Sequence, residues 1–160
     1  MQQNIFKLKN IYLFIGILSI LILIGAIYIE FVFGAKPCKL CIYQRYPYII
    51  AIFLSFFGYI NSNNKILLYI IIINFIISLI LSIYHTGIEN NFFSEYGICD
   101  TNNILITDTE KLLNLLEESM PSCKDVLFRI FGLSLATINV LISILIIVML
   151  ILIKSYEKNK

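Results

Sequence analysis

Charge is what this chain has least of. Only 14% of its 160 residues are charged, against 59% hydrophobic, whereas soluble domains average about 25% charged and about 45–50% apolar. A soluble domain of this length could not hide that much apolar surface. There is no basic run, the usual footprint of nucleic-acid binding, and no acidic tail, so the net charge of +2 assigns no partner. Tryptophan is missing and histidine occurs once, as His85. The length bounds the chain to one compact membrane domain, 1–160, with no room for a separate catalytic module.

What fills the chain instead is long apolar runs. A membrane-spanning helix needs roughly 20 mostly apolar residues. Four stretches qualify, about 11–33, 42–60, 66–84 and 130–153, which predicts an all-α four-helix membrane bundle. Loops of about 34–41 and 85–129 separate the outer pairs. The first run is longer than the roughly 7–15 apolar residues of a signal peptide, and no A-x-A site follows it, so it reads as an uncleaved helix. Small and polar residues form stripes at helical spacing: Ala51, Ser55 and Gly58; Asn74, Ser78 and Ser82, running on to His85; and Gly132, Ala136, Asn139 and Ser143. Such stripes let helices approach closely and hydrogen-bond where lipid offers no partner.

Four spans put both termini on one side. Basic residues divide six against six between the two sides, so the positive-inside rule barely chooses. Those on the terminal side, such as Lys7, Lys9, Lys65 and Lys154, have only Glu157 for acidic company, while the other side carries eight acids. This density predicts cytoplasmic termini. All four cysteines then fall on the outer side, where disulfides persist.

The first cysteine pair lies in Pro37-Cys38-Lys39-Leu40-Cys41-Ile42-Tyr43-Gln44-Arg45, at the start of the second span. The thiolate is the reactive form of cysteine, and a helix N-terminus or nearby cation stabilises it. Cys41 sits where the helix dipole favours an anion. Arg45, four residues on, shares its face and would be costly at that depth without a partner. The motif therefore reads as a redox dithiol. A static C-x-x-C disulfide closes too short a loop to add much stability, and a zinc site is disfavoured because Cys99 and Cys123 do not form a second C-x-x-C. No metal is expected.

Cys99 and Cys123 share the long loop. Bonded to each other they would be a structural staple or an exchangeable disulfide open to an external thiolate, and four cysteines allow three connectivities. In the same loop, Thr107-Asp108-Thr109-Glu110 matches a capping box before an apolar face through Leu116, which predicts a short helix on the membrane surface or an ordinary loop helix. His85 closes the third span on the membrane face that carries Cys41 and Arg45. It is either an interfacial anchor or a hydrogen-bond donor and proton relay to a quinone oxygen.

These residues resemble the DsbB family of bacterial disulfide-bond formation proteins over nearly the whole chain. The resemblance is carried by the 37–45 segment, by Tyr84-His85-Thr86-Gly87-Ile88-Glu89, by the cysteines at 99 and 123, and by Gly132-Leu133-Ser134-Leu135-Ala136-Thr137-Ile138-Asn139. It implies a thiol:quinone oxidoreductase of the inner membrane. A reduced periplasmic DsbA-like thioredoxin-fold oxidase would attack a Cys99–Cys123 bond through Cys99. Electrons would pass to Cys38–Cys41, and Cys41 would deliver them to ubiquinone or menaquinone beside Arg45 and His85. Gln44 stands where some members have an acid, the second loop is short, and the tryptophans often found near its cysteines are missing. A vitamin K epoxide reductase-like enzyme would have its C-x-x-C after the loop pair, whereas here it comes first. A non-catalytic membrane protein with two structural disulfides would show no quinone dependence.

Overall fold

The computed structural model describes residues 2–61, 65–94, 121–124, 126, 128–130 and 132–158. In chain order these form α1 (Gln2–Val32), α2 (Lys39–Tyr43), α3 (Tyr46–Ile60), α4 (Lys65–Glu89), the strands β1 (Arg129–Ile130) and β2 (Leu133–Ser134), and α5 (Leu135–Lys158). Among the described residues, four stretches are long and apolar enough to cross a membrane: Leu8–Val32, Lys39–Ile60, Ile66–Glu89 and Leu135–Ser155. The mostly helical four-span architecture expected from the sequence is therefore the one formed. The expected helix near 107–118 and Cys99 lie outside the described residues.

Helix α3 packs against α1 on one side and α4 on the other, and α4 packs against α5. The main core joins Tyr12 and Ile15 of α1, Tyr48 and Ala51 of α3, Ile71 and Phe75 of α4, and Ile146 and Leu150 of α5. The small and polar stripes are what the helices bury: Ala51, Ser55 and Gly58 on α3, Asn74, Ser78 and Ser82 on α4, and Ala136, Asn139 and Ser143 on α5. A Cβ on Gly58 would stand 2.6 Å from the Tyr12 ring, so only glycine permits the α1–α3 approach. The opposite faces present large apolar side chains outward, among them Phe31, Phe53, Phe56, Ile80 and Leu145, as a hydrocarbon surround requires. At the end remote from the cysteines, Lys154 lies 4.2 Å from the Tyr69 ring centroid and Lys9 5.7 Å from that of Tyr59.

The first helix begins earlier than expected, at Gln2, and three further boundaries differ from the sequence expectation, each for a local reason. The second span begins at Lys39 and is broken between Tyr43 and Tyr46. Pro47 has no N–H to donate to residue 43, and its ring crowds that carbonyl. The chain takes a tight turn there, with Arg45 N–H donating to the Ile42 carbonyl at 3.0 Å, and α3 restarts with Pro47 in its first turn. The third helix does not end at Tyr84 or at His85 but runs to Glu89, because its buried face continues through His85 and Ile88. The last helix starts at Leu135, five residues later than expected. Arg129 pairs with Ser134 and Ile130 with Leu133 in a hairpin turning at Gly132, whose φ of +83° suits glycine. Gly132 therefore lies off the helix stripe in which the spacing included it. The Ser134 hydroxyl then accepts from the Thr137 N–H at 3.2 Å and caps the helix.

Candidate redox site at the membrane edge

The site is built around the first turn of α2. Cys38 is its N-cap, in an extended conformation, and its sulfur accepts from the Cys41 N–H at 3.3 Å. Both cysteines are free thiols, with their sulfurs 3.0 Å apart and sharing a hydrogen bond. That bond, more than any other contact, holds the Cys38 thiol far below its ordinary 9.0, at about 4; burial opposes the effect and His85 adds to it. The sequence assigned the anion-favouring helix start to Cys41. The structure gives it to Cys38, because the N-terminal N–H groups of a helix converge on the cap residue rather than on the third residue inside it.

Helix α4 brings His85 against this dithiol. The ring is buried, with Nε2 3.5 Å from the Cys38 sulfur and 3.7 Å from the Glu89 carboxylate one turn on. Its other nitrogen, Nδ1, lies 3.0 Å from the Gln44 side-chain nitrogen. Gln44 is presented by the turn that Pro47 imposes. Its carbonyl oxygen accepts from the Asn139 amide of α5 at 3.1 Å, and the Tyr48 hydroxyl donates to the Asn139 carbonyl oxygen.

Arg45 emerges from the same turn. Its expected partner was the Cys41 sulfur, but its guanidinium forms an ion pair with Glu30 of α1 at 2.8 Å. An arginine in the middle of a membrane span costs about 2.5–3.5 kcal/mol. Glu30, the one charge near the end of the first span, offsets part of such a cost. One Arg45 nitrogen makes this contact, and a guanidinium carries five N–H donors, so others remain available.

Cys38, Cys41, Arg45 and His85 all line one cavity of about 280 Å³, whose walls include Ile22 and Ile142. An apolar wall with a few convergent donors is the usual make-up of a small-molecule site, and this one is near the lower end of ligand-pocket sizes. Four of the six residues singled out from the sequence thus meet in one place. Cys123 comes beside them: it is disulfide-bonded, buried, and clustered with Cys38, Leu40 and Ile88. The sixth, Cys99, is outside the described residues. Among the described residues, the Cys38, Cys41 and His85 donor atoms also lie within 4.8 Å of one another, a spacing that a metal ion could use. Glu30, Glu89, Tyr48 and Asn139 are the site residues that sequence reasoning did not pick out. Asn139 was named in a packing stripe, Glu89 and Asn139 within segments that carry the family resemblance, and Glu30 and Tyr48 stood as polar residues of apolar runs, so none of the four had a role of its own.

A four-span helical bundle with a partly buried dithiol at the edge of its second span defines a multi-pass membrane protein equipped for thiol chemistry. The family model for disulfide bond formation protein DsbB matches residues 8–153, and the chain belongs to that family. It is thereby a disulfide bond formation protein of the inner membrane. An uncharacterized protein, RP370, of Rickettsia prowazekii is 30% identical over 163 residues, covering 99% of this chain and 93% of its own. Disulfide bond formation protein B 1 of Pseudomonas savastanoi is 33% identical, and that of Pseudomonas fluorescens 32%. Each match spans 57 residues, covering 36% of this chain and 34% of the relative.

Proposed function

We propose that the protein reoxidises a DsbA-like periplasmic dithiol and passes the electrons to a membrane quinone, with both termini cytoplasmic and all four cysteines periplasmic. The observation that carries this reading is the shared location of Cys123 and the Cys38–Cys41 pair beside a cavity with arginine and histidine at its wall. An incoming thiolate of the thioredoxin-fold partner attacks Cys99 of a Cys99–Cys123 disulfide and releases Cys123 as a thiolate. Cys123, buried against Cys38, attacks a Cys38–Cys41 disulfide at Cys38 and frees Cys41. The partner's second thiol resolves its mixed disulfide and frees Cys99, which attacks Cys123, re-forms the loop disulfide and releases Cys38, so one dithiol is oxidised and one disulfide reduced at each exchange. A ubiquinone or menaquinone bound in the cavity is the two-electron, two-proton acceptor that regenerates the Cys38–Cys41 bond.

Within this scheme each residue has a separate task. Cys41, the less buried of the two residues, delivers the electrons. Cys38, capped and held as an anion, is the sulfur that exchanges with Cys123. Arg45 and His85 offer donors to the oxygens on which negative charge develops, where preorganised hydrogen bonds have most effect. In membranes containing a reduced DsbA-like partner, Cys41→Ser should abolish quinone reduction while the protein still accumulates. Turnover that survived the substitution would refute the assignment.

A further inference from the structure

The polar groups behind His85 form one directional chain across three helices. Ser143 of α5 donates to Ser78 of α4 at 3.3 Å, and both hydroxyls adjoin that of Tyr48. The Tyr48 hydroxyl donates to the Asn139 carbonyl oxygen, and with that oxygen so engaged the amide turns its nitrogen toward Gln44. The Asn139 nitrogen then donates to the Gln44 oxygen at 3.1 Å, and this fixes the second amide in turn. Only the Gln44 nitrogen is left for His85 Nδ1, 3.0 Å away. An amide nitrogen is a donor only, so a neutral ring meeting it must accept at Nδ1 and carry its proton on Nε2.

We infer that Tyr48 and Asn139 are positioning residues, acting through Gln44 to hold the His85 proton on Nε2, where it points at the Cys38 sulfur. Without the chain, either amide could turn over and present an oxygen to Nδ1. The ring would then be protonated at Nδ1 and show a bare nitrogen to the dithiol. The chain keeps His85 a donor in the direction in which a thiolate forms, with Glu89 the alternative acceptor 3.7 Å from the same nitrogen. It also removes Nε2 from use as a metal ligand, since ligation needs the unprotonated nitrogen. The groups facing the ring are Cys38 and Cys41 from the α2 turn, Gln44 from the break before α3, and Glu89 from α4 itself.

This inference deepens the redox reading of the Cys38–Cys41 site, but its test needs no quinone and no turnover. His85 is the only histidine, so a sample labelled with 15N-histidine gives imidazole signals from this ring alone. The full-length reduced protein in lipid nanodiscs is expected to show a protonated Nε2 and a bare Nδ1. Tyr48→Phe keeps the aromatic packing on Phe75 and should introduce an Nδ1–H population that the parent lacks. In Gln44→Glu the carboxylate can only accept, and a proton should appear on Nδ1. A bare Nε2 in the parent would overturn the inference even if both variants misfolded. So would a Tyr48→Phe ring with an unchanged tautomer, or a Gln44→Glu ring with Nδ1 still bare. A parent protein that shows the expected spectra yet reduces no quinone would instead count against the function proposed above.

Discussion

Cys38 and Arg45 carry the sharpest consequences at the level of single residues. A thiol whose folded value lies below its ordinary one stabilises the reduced protein fully above the ordinary value, and that contribution fades as pH falls toward the folded value. For Cys38 the window runs from 9.0 down to about 4. The melting temperature of the reduced protein, compared with that of the oxidised protein, should therefore decline between these limits. Alkylation of Cys38 should stay nearly level from pH 9 to pH 6 and drop only below about pH 4. A rate that rose tenfold per unit between pH 6 and pH 8 would contradict a stabilised thiolate. Arg45→Met should lower the rate of quinone reduction by about 100-fold, the scale of losing one preorganised donor. Arg45→Lys should recover only part of it, since the planar fork is lost. Steady-state kinetics with a soluble quinone analogue measures both.

The elements explain why these residues meet. Pro47 interrupts the second span so that a tight turn, rather than a continuous helix, aims Gln44 and Arg45 inward. Gly58 lets α1 come close to α3 at the end remote from the cysteines, and at the other end of the same pair Glu30 meets Arg45. Gly58→Leu drives a side chain into the Tyr12 ring and should destabilise the bundle by about 1–3 kcal/mol, the usual cost of overpacking. Thermal unfolding in detergent would register this as a lowered midpoint, and an unchanged midpoint would mean that α1 and α3 do not pack as described. Apolar run length made all four spans legible in the sequence. Their ends were less so, because hydropathy does not register a buried polar face such as His85 to Glu89, nor a proline break inside an apolar run. The stripes of Ser, Ala and Asn did announce the buried faces. Only the fold could show that Asn139 meets Gln44 and Tyr48 rather than merely filling a helix contact.

The whole molecule separates its chemistry from its anchorage. One end carries Lys9 and Lys154 beside tyrosine rings; the other gathers the dithiol, the histidine, the ion pair and Cys123. From the sequence alone, the C-x-x-C at a span boundary and the lone histidine were the readable parts of that gathering. The partner of Arg45 was not readable, since Glu30 lies on another helix and no local spacing links the two. The central claim is that electrons leave the chain through Cys38–Cys41 and enter through the loop cysteines. Mapping the alkylation state of all four cysteines tests it most directly, on fully reduced protein before and after addition of quinone under anaerobic conditions. Cys38 and Cys41 should become protected first, with Cys99 and Cys123 following by exchange, and Cys41→Ser should block protection of both pairs. Cysteines that stayed equally reactive with and without quinone, or a loop pair that oxidised normally in Cys41→Ser, would contradict it.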